Sequence, residues 1–456
     1  MLVLITTLSI DVHAAGKKGK QTVKVVWDTP EKIVRGGYPR VHRLNDGRLM
    51  MSYSLSANTY VRFSDDDGYT WSEDAQVVMR HFSVENERGK AKVHAANPEF
   101  EQLSDDNPYK PGRIIFACNY RPMNPDPKAV GDDRYRSSVF PYTIAIKTSD
   151  DGGKTWSAMK HVYKSEIWNH NALSGCWEPF VMEFPDGTVQ IYFADETPYK
   201  KKGSNWQNIS VIESHDGGTT WSAPRVVSQN GSGRDGMPVV MLLDDMIYMA
   251  IETSEPGTRL HPVVVCNTIE ENWRNPVLKD SPNRFHPFKK SLQSDVVYSG
   301  APYIIATDNY IVYSYQIADI SDDKEDNDSR HAAMEVQVCP KSDVQDGCFY
   351  TMRSPSRPID LDQWTETAVW NSLCDLGNDE ILAVSQYNGY DERGKADKFF
   401  NAYCGKMYSR SDNYRDAYAT EVMSMGVQRL FEDAKKFALE DREYFDFVIA
   451  NLRGEL

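Results

Sequence analysis

The sequence lacks two features that would place it in common functional classes. It has no excess of basic residues, because 51 Lys and Arg residues stand against 66 Asp and Glu residues, for a net charge of −15. Nucleic-acid binding needs a basic surface that displaces counterions from phosphates, so we expect no nucleic-acid partner. Beyond residue 15, no segment approaches the run of about 20 apolar residues that spans a membrane. We therefore expect no membrane span.

Cysteine pairs and metal-ligand spacings are also missing. The seven cysteines form no Cys-x-x-Cys motif, and their odd number gives no obvious disulfide framework: Cys118, Cys176, Cys266, Cys339, Cys348, Cys374 and Cys404. We interpret them as mostly buried small apolar residues, and we expect neither a metal ion nor a cofactor. The chain does have 40% hydrophobic residues, 25 Tyr and 10 Trp, which suits a large core built from strands.

The N-terminal segment predicts export. A short apolar run is followed by Val12-His13-Ala14 and then Ala15, and small residues in this arrangement are typical of a signal-peptidase site. We therefore predict a signal peptide over residues 1–15 and a periplasmic or secreted protein. The alternative is that the same run forms a buried N-terminal strand.

A short motif recurs three times. It reads SDDDGYTW at 64–71, SDDGGKTW at 149–156 and SHDGGTTW at 214–221, so the shared pattern is Ser-x-Asp-x-Gly-x-Thr-Trp. Ser and Asp side chains accept hydrogen bonds from turn amides, and Gly tolerates positive φ. The spacing of a calcium-binding loop is absent. We interpret this motif, the Asp box, as a structural hairpin that the Trp side chain covers.

A longer unit recurs six times. Each copy contains two alternating apolar strands joined by a turn rich in Asp, and a third strand follows that carries an Asp box in three copies. With an outer strand, each unit has four strands. This predicts an all-β, six-bladed β-propeller with four-stranded antiparallel blades over residues 22–411. A sandwich or a barrel is the alternative, but neither predicts six similar units. Five units share one proline: Pro39, Pro98, Pro179, Pro238 and Pro302.

The ends of the chain complete this prediction. The sixth unit has its third strand predicted at 401–409 but no outer strand, and TVKVVWD at 22–28 is predicted to supply one and close the ring. Residues 104–140 and the acidic tract at 319–330 are predicted loops. Apolar residues at helical spacing predict a C-terminal helical extension over 412–456. We expect this extension to pack on the outside of the propeller; the alternative is that it binds a partner.

Comparison of the repeats also predicts a site. The first strand of each propeller blade lines the central channel, so equivalent residues face one mouth of it. Just before the shared proline stand Tyr38, Asn97, Glu178, Met237 and Ala301; seven residues after the turn Asp stand Tyr53, Phe193, Glu252, Tyr315 and, in the sixth unit, Ser385 or Gln386. Only Glu178 and Glu252 are carboxylates. They belong to adjacent units, so we predict that they lie close together.

Two convergent carboxylates suit the cleavage of a glycosidic bond. One, kept protonated by an apolar setting, donates a proton to the leaving oxygen, and the other attacks the anomeric carbon or activates water. Trp177 beside Glu178 can provide that setting and a face for stacking on a sugar. Glu196 is a reserve candidate, and the alternative is that both glutamates lie on solvated loops. Further substrate-binding candidates at the same rim are Arg35, Tyr38, Arg40, Asn97, Arg121, Arg234 and Asp235.

The Asp boxes on a six-unit propeller resemble the sialidase superfamily. Such boxes also occur in other glycosidases and in binding proteins. Sialidases hold the substrate carboxylate with an arginine triad that begins at an Arg-Ile-Pro motif in the first blade. Here the matching segment is Gly37-Tyr38-Pro39, so Arg35 or Arg40 would have to replace the missing arginine.

The glutamates in WEPF and MAIE are similar in arrangement to the catalytic pair of glycoside hydrolase family 93, the exo-α-1,5-L-arabinanases. That resemblance implies a retaining enzyme with Glu178 as the general acid/base and Glu252 as the nucleophile. It also implies an assisting tyrosine, assigned to Tyr315 with Tyr387 in reserve.

The leading hypothesis is a secreted, monomeric, exo-acting hydrolase of an oligo- or polysaccharide from plants, preferentially arabinan. The alternatives are a sialidase-like exo-glycosidase acting on an acidic sugar and a non-catalytic propeller that binds a glycan or a protein.

Overall fold

The computed structural model describes residues 2–13, 22–167, 175–202, 206–288, 298–318, 332–344, 353–359, 361, 366–388, 408–409 and 417–418. Nearly all regular structure in these residues is β-strand, and the exceptions are short 3₁₀ helices at Gly131–Arg134, Thr197–Lys202 and Lys341–Asp343. None of the described helices is long and apolar enough to cross a membrane. The prediction of an all-β propeller is confirmed.

The first two blades are meanders of consecutive strands. Blade 1 contains Gly37–Arg43, Leu49–Leu55, Asn58–Ser64 and Gln76–Met79. Blade 2 contains Gly89–Gln102, Ile114–Met123, Thr143–Ser149 and Lys160–Lys164, with Phe82–Asn86 paired to the extended first strand. Part of the segment 104–140, predicted to be a loop, therefore continues the second strand of blade 2. Near-continuous apolar runs, such as residues 114–118 in blade 2, let a strand bury side chains on both faces against the neighbouring blades.

The next three blades repeat this order. Blade 3 contains Cys176–Glu183, Val189–Asp195, Asn208–Ser214 and Arg225–Gln229. Its last strand also pairs in parallel with Val277–Leu278. Blade 4 contains Arg234–Leu243, Met246–Ser254, His261–Thr268 and Arg284–Phe285. Blade 5 contains Tyr298–Ala306, Tyr310–Ala318, Ala333–Pro340 and Arg353–Ser356. These five blades confirm five of the six predicted units.

The sixth predicted unit is assembled differently. The described residues form a closing sheet in which Thr367–Gly377 and Glu380–Asn388 are followed by Leu2–His13 and then Thr22–Trp27. Glu31–Arg35 also pairs with Leu2–His13. Thr22–Trp27 does take the outer position, as predicted. The third position holds Leu2–His13, the segment for which the sequence favours a signal peptide, whereas the predicted third strand at 401–407 lies outside the described residues.

Each Asp box forms the predicted hydrogen bonds. In the first, the Gly68 amide donates to Ser64 Oγ at 2.9 Å, and the Thr70 amide donates to Asp66 Oδ1 at 2.8 Å. The Trp71 indole donates to the Gly68 carbonyl at 3.0 Å. The other two boxes repeat the Ser and Asp bonds. The structural role predicted for these motifs is therefore confirmed.

A strained bulge recurs at the start of every sheet that surrounds the channel. The residue before each shared proline has a positive φ, as does Trp370 in the closing sheet, where no proline follows: Tyr38 +55°, Asn97 +47°, Glu178 +51°, Met237 +50°, Ala301 +44° and Trp370 +52°. Pairing between the first two strands shifts at this point in blades 1 to 5. The left-handed region is unfavourable for these residue types except asparagine, so the bulge is held by contacts around it.

The apolar core lies between neighbouring blades. One cluster joins Met50 and Val61 of blade 1 to Phe100 and Phe116 of blade 2, and a second joins blade 2 to blade 3. The five described cysteines are buried, as predicted: Cys118, Cys176, Cys266, Cys339 and Cys374. In the segment 412–456, only the two-residue strand Ala417–Tyr418 is described, so the predicted helical extension lies outside the described residues.

Candidate active site

Glu178 occupies the bulge of blade 3, and its carboxyl group lies in a protected position. Its carboxylate accepts a hydrogen bond from the Met237 backbone amide of blade 4. The other oxygen, Oε2, is buried and has no hydrogen-bond partner among the described residues. Burial, followed by the negative charge of Glu252, raises the pKa of Glu178 to about 7. Glu178 therefore holds a proton at mildly acidic pH and can donate it.

Glu252 lies near the end of the second strand of blade 4 and is only 4% exposed. It pairs with Gly236 across the blade, next to the Met237 amide that contacts Glu178. Arg234 donates to Oε1 at 2.6 Å, and the Ala301 backbone amide of blade 5 donates to Oε2 at 2.9 Å. These two donors stabilise negative charge on Glu252. The structure thus brings Glu178 and Glu252 together, as predicted.

Arg234 lies among three carboxylates. Burial alone would lower the pKa of its guanidinium, but the charges of Glu252, Glu178 and Glu196 raise it. Its Nε is buried without a partner among the described residues. Arg234 was predicted to bind substrate, and the structure gives it a more specific position, in direct contact with one carboxylate of the pair.

The residues equivalent to Glu252 differ from the predicted ones. Strand pairing places Ser54, Asn119, Ala194 and Gln316 opposite the residue that precedes each bulge, as Glu252 is opposite Gly236. In blades 1, 3 and 5, the residue seven positions after the turn Asp lies one residue before the position equivalent to Glu252. The difference arises because the hairpin turns differ in length. In a strand, one residue of error reverses the face.

This correction removes Tyr315 from the position it was assigned. Tyr315 is fully buried, and its hydroxyl donates to Glu335 and accepts from Gln337 Nε2 at 2.6 Å. Its ring packs on Phe288, 4.6 Å between centroids. None of the described contacts of Tyr315 reaches Glu178 or Glu252, because its side chain projects from the opposite face of the strand to that of Gln316.

Tyr298 lies near Glu252, and sequence comparison missed it. A Cβ at Gly300 would lie 2.7 Å from Glu252 Oε2 and 3.6 Å from Tyr298 Oη, so both atoms face the same glycine. The Tyr298 hydroxyl accepts a hydrogen bond from Gln316. Tyr298 stands three residues before the bulge at Ala301, a position that the repeat alignment did not use.

Arg121, Asn97 and Trp177 lie together on the Glu178 side of the site. Arg121 donates to Asn97 Oδ1, and its guanidinium lies 5.1 Å from the centre of the Trp177 ring. The positive charge of Arg121 acts to lower the pKa of Glu178. Trp177 is partly exposed and packs against Tyr142. The structure therefore brings together these three predicted substrate-binding residues.

Tyr38 and Arg40 form part of the channel lining instead. Tyr38 is 6% exposed and packs with the bulge residues Met237 and Ala301. The Arg40 guanidinium lies 3.9 Å from the centre of the Tyr38 ring. It is 2% exposed, pairs with Glu99 at 3.3 Å and donates to the Pro39 carbonyl at 2.8 Å. These bonds occupy the Arg40 guanidinium, so the prediction that it binds substrate is wrong.

Asp235 is also wrongly predicted. It is fully buried and forms an ion pair with Arg284 at 2.7 Å, and Ser228 and Thr253 donate to it as well. Strand alternation turns it away from the channel while Arg234 faces Glu252.

The two reserve candidates, Tyr387 and Glu196, contact residues other than those predicted for the catalytic pair. Tyr387 is partly exposed beside Lys32, whose ammonium lies 5.9 Å from the ring centre. Glu196 accepts the Gly175 amide at 2.8 Å and thereby anchors the start of the strand that carries Glu178.

A cavity of about 590 Å³ opens beside Arg121, between blades 1 and 2. Its polar lining comes from Arg35, Ser54, Ser56, His94 and Arg121, and the rest of its wall is mostly backbone and small or apolar side chains. Arg35, predicted to bind substrate, is exposed here. The volume is in the range of small-molecule sites. Within the described part of the chain, no group of three His, Cys, Asp or Glu residues is placed to hold a metal ion.

This fold and this repeat define a class of protein. Residues 142–295 match the family model of the BNR repeat-like domain, which covers a third of the chain and includes both Glu178 and Glu252. Together with the blades described above, the match shows a sialidase-like propeller fold. The curated proteins include no sequence that matches this chain.

Solved structures with similar folds share little sequence with this chain. An α-L-arabinofuranosidase from Fusarium graminearum is 16% identical, with 77% of this chain and 93% of that chain covered and a TM-score of 0.51. A protein of unknown function from Dyadobacter fermentans is 13% identical, with 77% and 94% covered and the same TM-score of 0.51. The Hadza microbial sialidase Hz136 is 14% identical, with 80% and 72% covered and a TM-score of 0.48. At such identities the likeness concerns the fold alone.

Proposed function

We propose that this protein is a retaining glycoside hydrolase in which Glu178 is the general acid/base and Glu252 the nucleophile. The observation that carries the proposal is the opposed environment of the two carboxyl groups. Burial raises the pKa of Glu178 to about 7, whereas Arg234 and the Ala301 amide stabilise charge on Glu252. A pair of carboxyl groups with one protonated and one ionised member is the requirement for glycosidic cleavage.

In the first step, Glu252 attacks the anomeric carbon while Glu178 gives its proton to the leaving oxygen. The product of this step is a glycosyl ester on Glu252. In the second step, ionised Glu178 removes a proton from water. The water oxygen attacks the anomeric carbon on the face that the leaving group vacated, and Glu252 is released. Arg234 holds Glu252 in position, and the Tyr298 hydroxyl lies where it can assist charge changes on that carboxylate.

The substrate proposed from the resemblance is arabinan, cleaved from its chain end by a secreted, monomeric enzyme. The similar fold of an α-L-arabinofuranosidase supports arabinose-containing glycans as the first to be tested. Trp177, partly exposed beside Glu178, offers an aromatic face for a sugar ring.

Product analysis tests this proposal. The protein is incubated with linear arabinan, pectic fragments and sialosides, and NMR follows the configuration of the first product. We expect release of a short product with its anomeric configuration retained, and no release by the variant that combines Glu178→Gln with Glu252→Gln. Full activity in that double variant would exclude these residues from catalysis. No turnover on any glycan would favour a binding propeller.

A further inference from the structure

We propose that Gln207 is a positioning residue for the reaction: it holds Arg234 where the guanidinium stabilises negative charge on both carboxyl groups of the catalytic pair. The side-chain hydrogen bond that Gln207 makes goes to Glu196, not to Glu178 or Glu252, so its effect on the pair passes through Arg234. This inference rests on the proposed glycosidase function and adds a residue that comparison of the repeats did not select.

The backbone fixes Gln207 beside Arg234. Gln207 stands just before the third strand of blade 3, and it forms a parallel bridge with Arg234 at the start of blade 4. The Gln207 amide donates to the Gly233 carbonyl at 3.3 Å, and the Asp235 amide donates to the Gln207 carbonyl at 2.9 Å. Gln207 thus binds the backbone on both sides of Arg234, and it is only 4% exposed.

The side chains of Gln207 and Arg234 converge on Gly236. A Cβ at Gly236 would lie 2.9 Å from Gln207 Oε1, 2.8 Å from Arg234 Nη2 and 3.4 Å from Arg234 Nε. Gln207 Oε1 and Arg234 Nε are both buried, and neither has a hydrogen-bond partner among the described residues. One is an acceptor and the other a donor, so a shift of either side chain towards the other satisfies both. Glycine at position 236 leaves room for this contact.

The amide nitrogen of Gln207 faces Glu196. Gln207 Nε2 donates to Glu196 Oε1 at 3.5 Å, and the Gly175 amide donates to Glu196 Oε2 at 2.8 Å. Glu196 is 9% exposed and its charge acts on Arg234, so it competes with Glu252 for the guanidinium. The neutral amide of Gln207 offers a donor to Glu196 and an acceptor to Arg234, and it adds no charge of its own. Gln207 thereby keeps Arg234 on Glu252.

The position of Arg234 matters because the reaction moves negative charge from one carboxyl group to the other. Glu252 carries the charge before the first step, whereas in the glycosyl ester Glu178 has given up its proton and carries it instead. Arg234 donates to Glu252 at 2.6 Å, and its charge acts to lower the pKa of Glu178. An arginine in this position stabilises both states. The ionisable groups that act on Arg234 are Glu252, Glu178, Glu196 and Tyr298.

A double-mutant cycle tests whether Gln207 acts through Arg234, with a readout that needs no hydrolysis. Gln207→Met keeps the length of the side chain and removes its polar groups, and it is made in the full-length protein alone and together with Arg234→Met. NMR of ¹³C-labelled glutamate carboxyl groups follows the titration of Glu178, whose resonance is the one missing from Glu178→Gln. We expect Gln207→Met to raise the pKa of Glu178 by about 0.5 or more, because Arg234 leaves its position, and to add nothing beside Arg234→Met.

Kinetics on a glycoside that the wild type hydrolyses give the second readout. Gln207→Met is expected to lower kcat by about 10- to 100-fold with KM within about threefold, because a misplaced Arg234 affects the transition state more than substrate binding. Beside Arg234→Met, the same change should lower kcat by less than about twofold.

Gln190→Met is the matched control. Gln190 is also buried in blade 3, and its Nε2 also donates to a glutamate, Glu213, at 2.6 Å. The control should leave both kcat and the pKa of Glu178 unchanged, and thermal melting shows whether each variant is folded. Gln207→Glu is a second variant that keeps the shape of the side chain. Its carboxylate competes for Arg234, so it should also raise the pKa of Glu178 and lower kcat.

The outcomes separate this inference from the proposed function. Folded Gln207 variants with the wild-type kcat and the wild-type pKa of Glu178 would overturn the inference. An equal effect of Gln207→Met beside Arg234→Met would also overturn it, because Gln207 would then not act through Arg234. The expected NMR result without hydrolysis of any glycoside would support the coupling and contradict the enzyme. Hydrolysis that depends on both glutamates but not on Gln207 would support the enzyme and contradict the coupling.

Discussion

Glu252 combines a structural and a chemical role, and neighbouring blades show how to separate them. Gln316 and Gln386, in blade 5 and the closing sheet, accept the amides of Trp370 and Tyr38 at 3.2 and 3.1 Å. Glu252 accepts the Ala301 amide in the same way. A glutamine therefore fits this position, and what only Glu252 adds is negative charge next to Arg234.

The first prediction follows from that comparison. Glu252→Gln is expected to keep the bond to the Ala301 amide, so the free energy of unfolding should fall by no more than about 2 kcal/mol. The turnover number kcat should fall by at least about a thousandfold, because the glutamine amide is a poor nucleophile. Chemical denaturation and steady-state kinetics measure the two effects. Gln386→Ala is the control, expected to lose stability while retaining the chemical step. A Glu252→Gln protein that hydrolyses normally would contradict the nucleophile assignment.

Glu178 predicts how activity depends on pH. The general acid must be protonated, so kcat/KM should fall as pH rises through about 7, the raised pKa of this carboxyl group. Glu178→Gln should lower the rate by about 10²- to 10⁴-fold on a natural glycoside. The loss in kcat/KM should be much smaller on an aryl glycoside, whose leaving group needs no proton, whereas kcat still falls because the second step lacks its general base. Equal losses on both substrates would argue against a proton donor.

Glu178 also predicts how stability depends on pH. The folded state binds this proton more tightly than the unfolded chain, so the stabilisation is complete below the ordinary glutamate pKa and is lost as pH rises through about 7. Glu178→Gln resembles the protonated form at every pH. Relative to the wild type, the variant should therefore gain on the order of 1 kcal/mol between pH 5 and pH 8. Paired denaturation curves measure this, and a constant difference would contradict it.

At the scale of the element, the bulge is what aims Glu178 into the site. Its φ of +51° breaks the alternation of the strand, and the Met237 amide then meets the carboxylate. The same bulge at Ala301 presents an amide to Glu252. Backbone strain at these positions is thus linked to the placement of both carboxylates.

The strain can be measured at Ala301, where φ is +44°. Ala301→Gly should raise the free energy of unfolding by up to about 1 kcal/mol, because glycine adopts positive φ without the Cβ penalty. Ala194→Gly, on an ordinary buried strand, should lower it by about 1 kcal/mol. Thermal melting of both variants gives the comparison. Destabilisation of similar size in both would show that the bulge stores no strain.

Asp boxes are the second element whose contribution can be tested. Asp66 accepts from Ser64 and Thr70, whereas Asp65 in the same box is exposed. Asp66→Ala should lower the free energy of unfolding by about 1–3 kcal/mol and leave kcat unchanged. Asp65→Ala should have little effect. A loss of activity without a loss of stability in Asp66→Ala would give the box a functional role.

At the scale of the whole molecule, the closing sheet joins the N-terminal strand to strands near residue 380. Leu2–His13 pairs with Glu380–Asn388 and with Thr22–Trp27. We expect removal of residues 1–15 to lower the melting temperature, because Glu380–Asn388 loses its neighbour. An unchanged melting temperature would mean that another segment, such as the predicted strand at 401–409, takes this position. Mass spectrometry of the exported protein tests the signal peptide separately.

The sequence alone determined the local chemistry and the repetition. Period-two apolar patterns, three Asp boxes and a recurring proline depend on contacts within one blade, so they could be recognised in one sequence. Comparison of the repeats also distinguished Glu178 and Glu252, because charge at otherwise uncharged equivalent positions is visible without a structure.

Only the tertiary structure decided which side chains meet. Tyr315 and Tyr298 are both strand tyrosines, and the pairing register determines which of them faces Glu252. Arg40 and Arg121 are both rim arginines, but Arg40 forms an ion pair with Glu99 from the next blade, whereas Arg121 donates to the side-chain amide oxygen of Asn97. Such contacts join residues far apart in the chain. They depend on strand register and on the packing of neighbouring blades, which no local pattern in the sequence specifies.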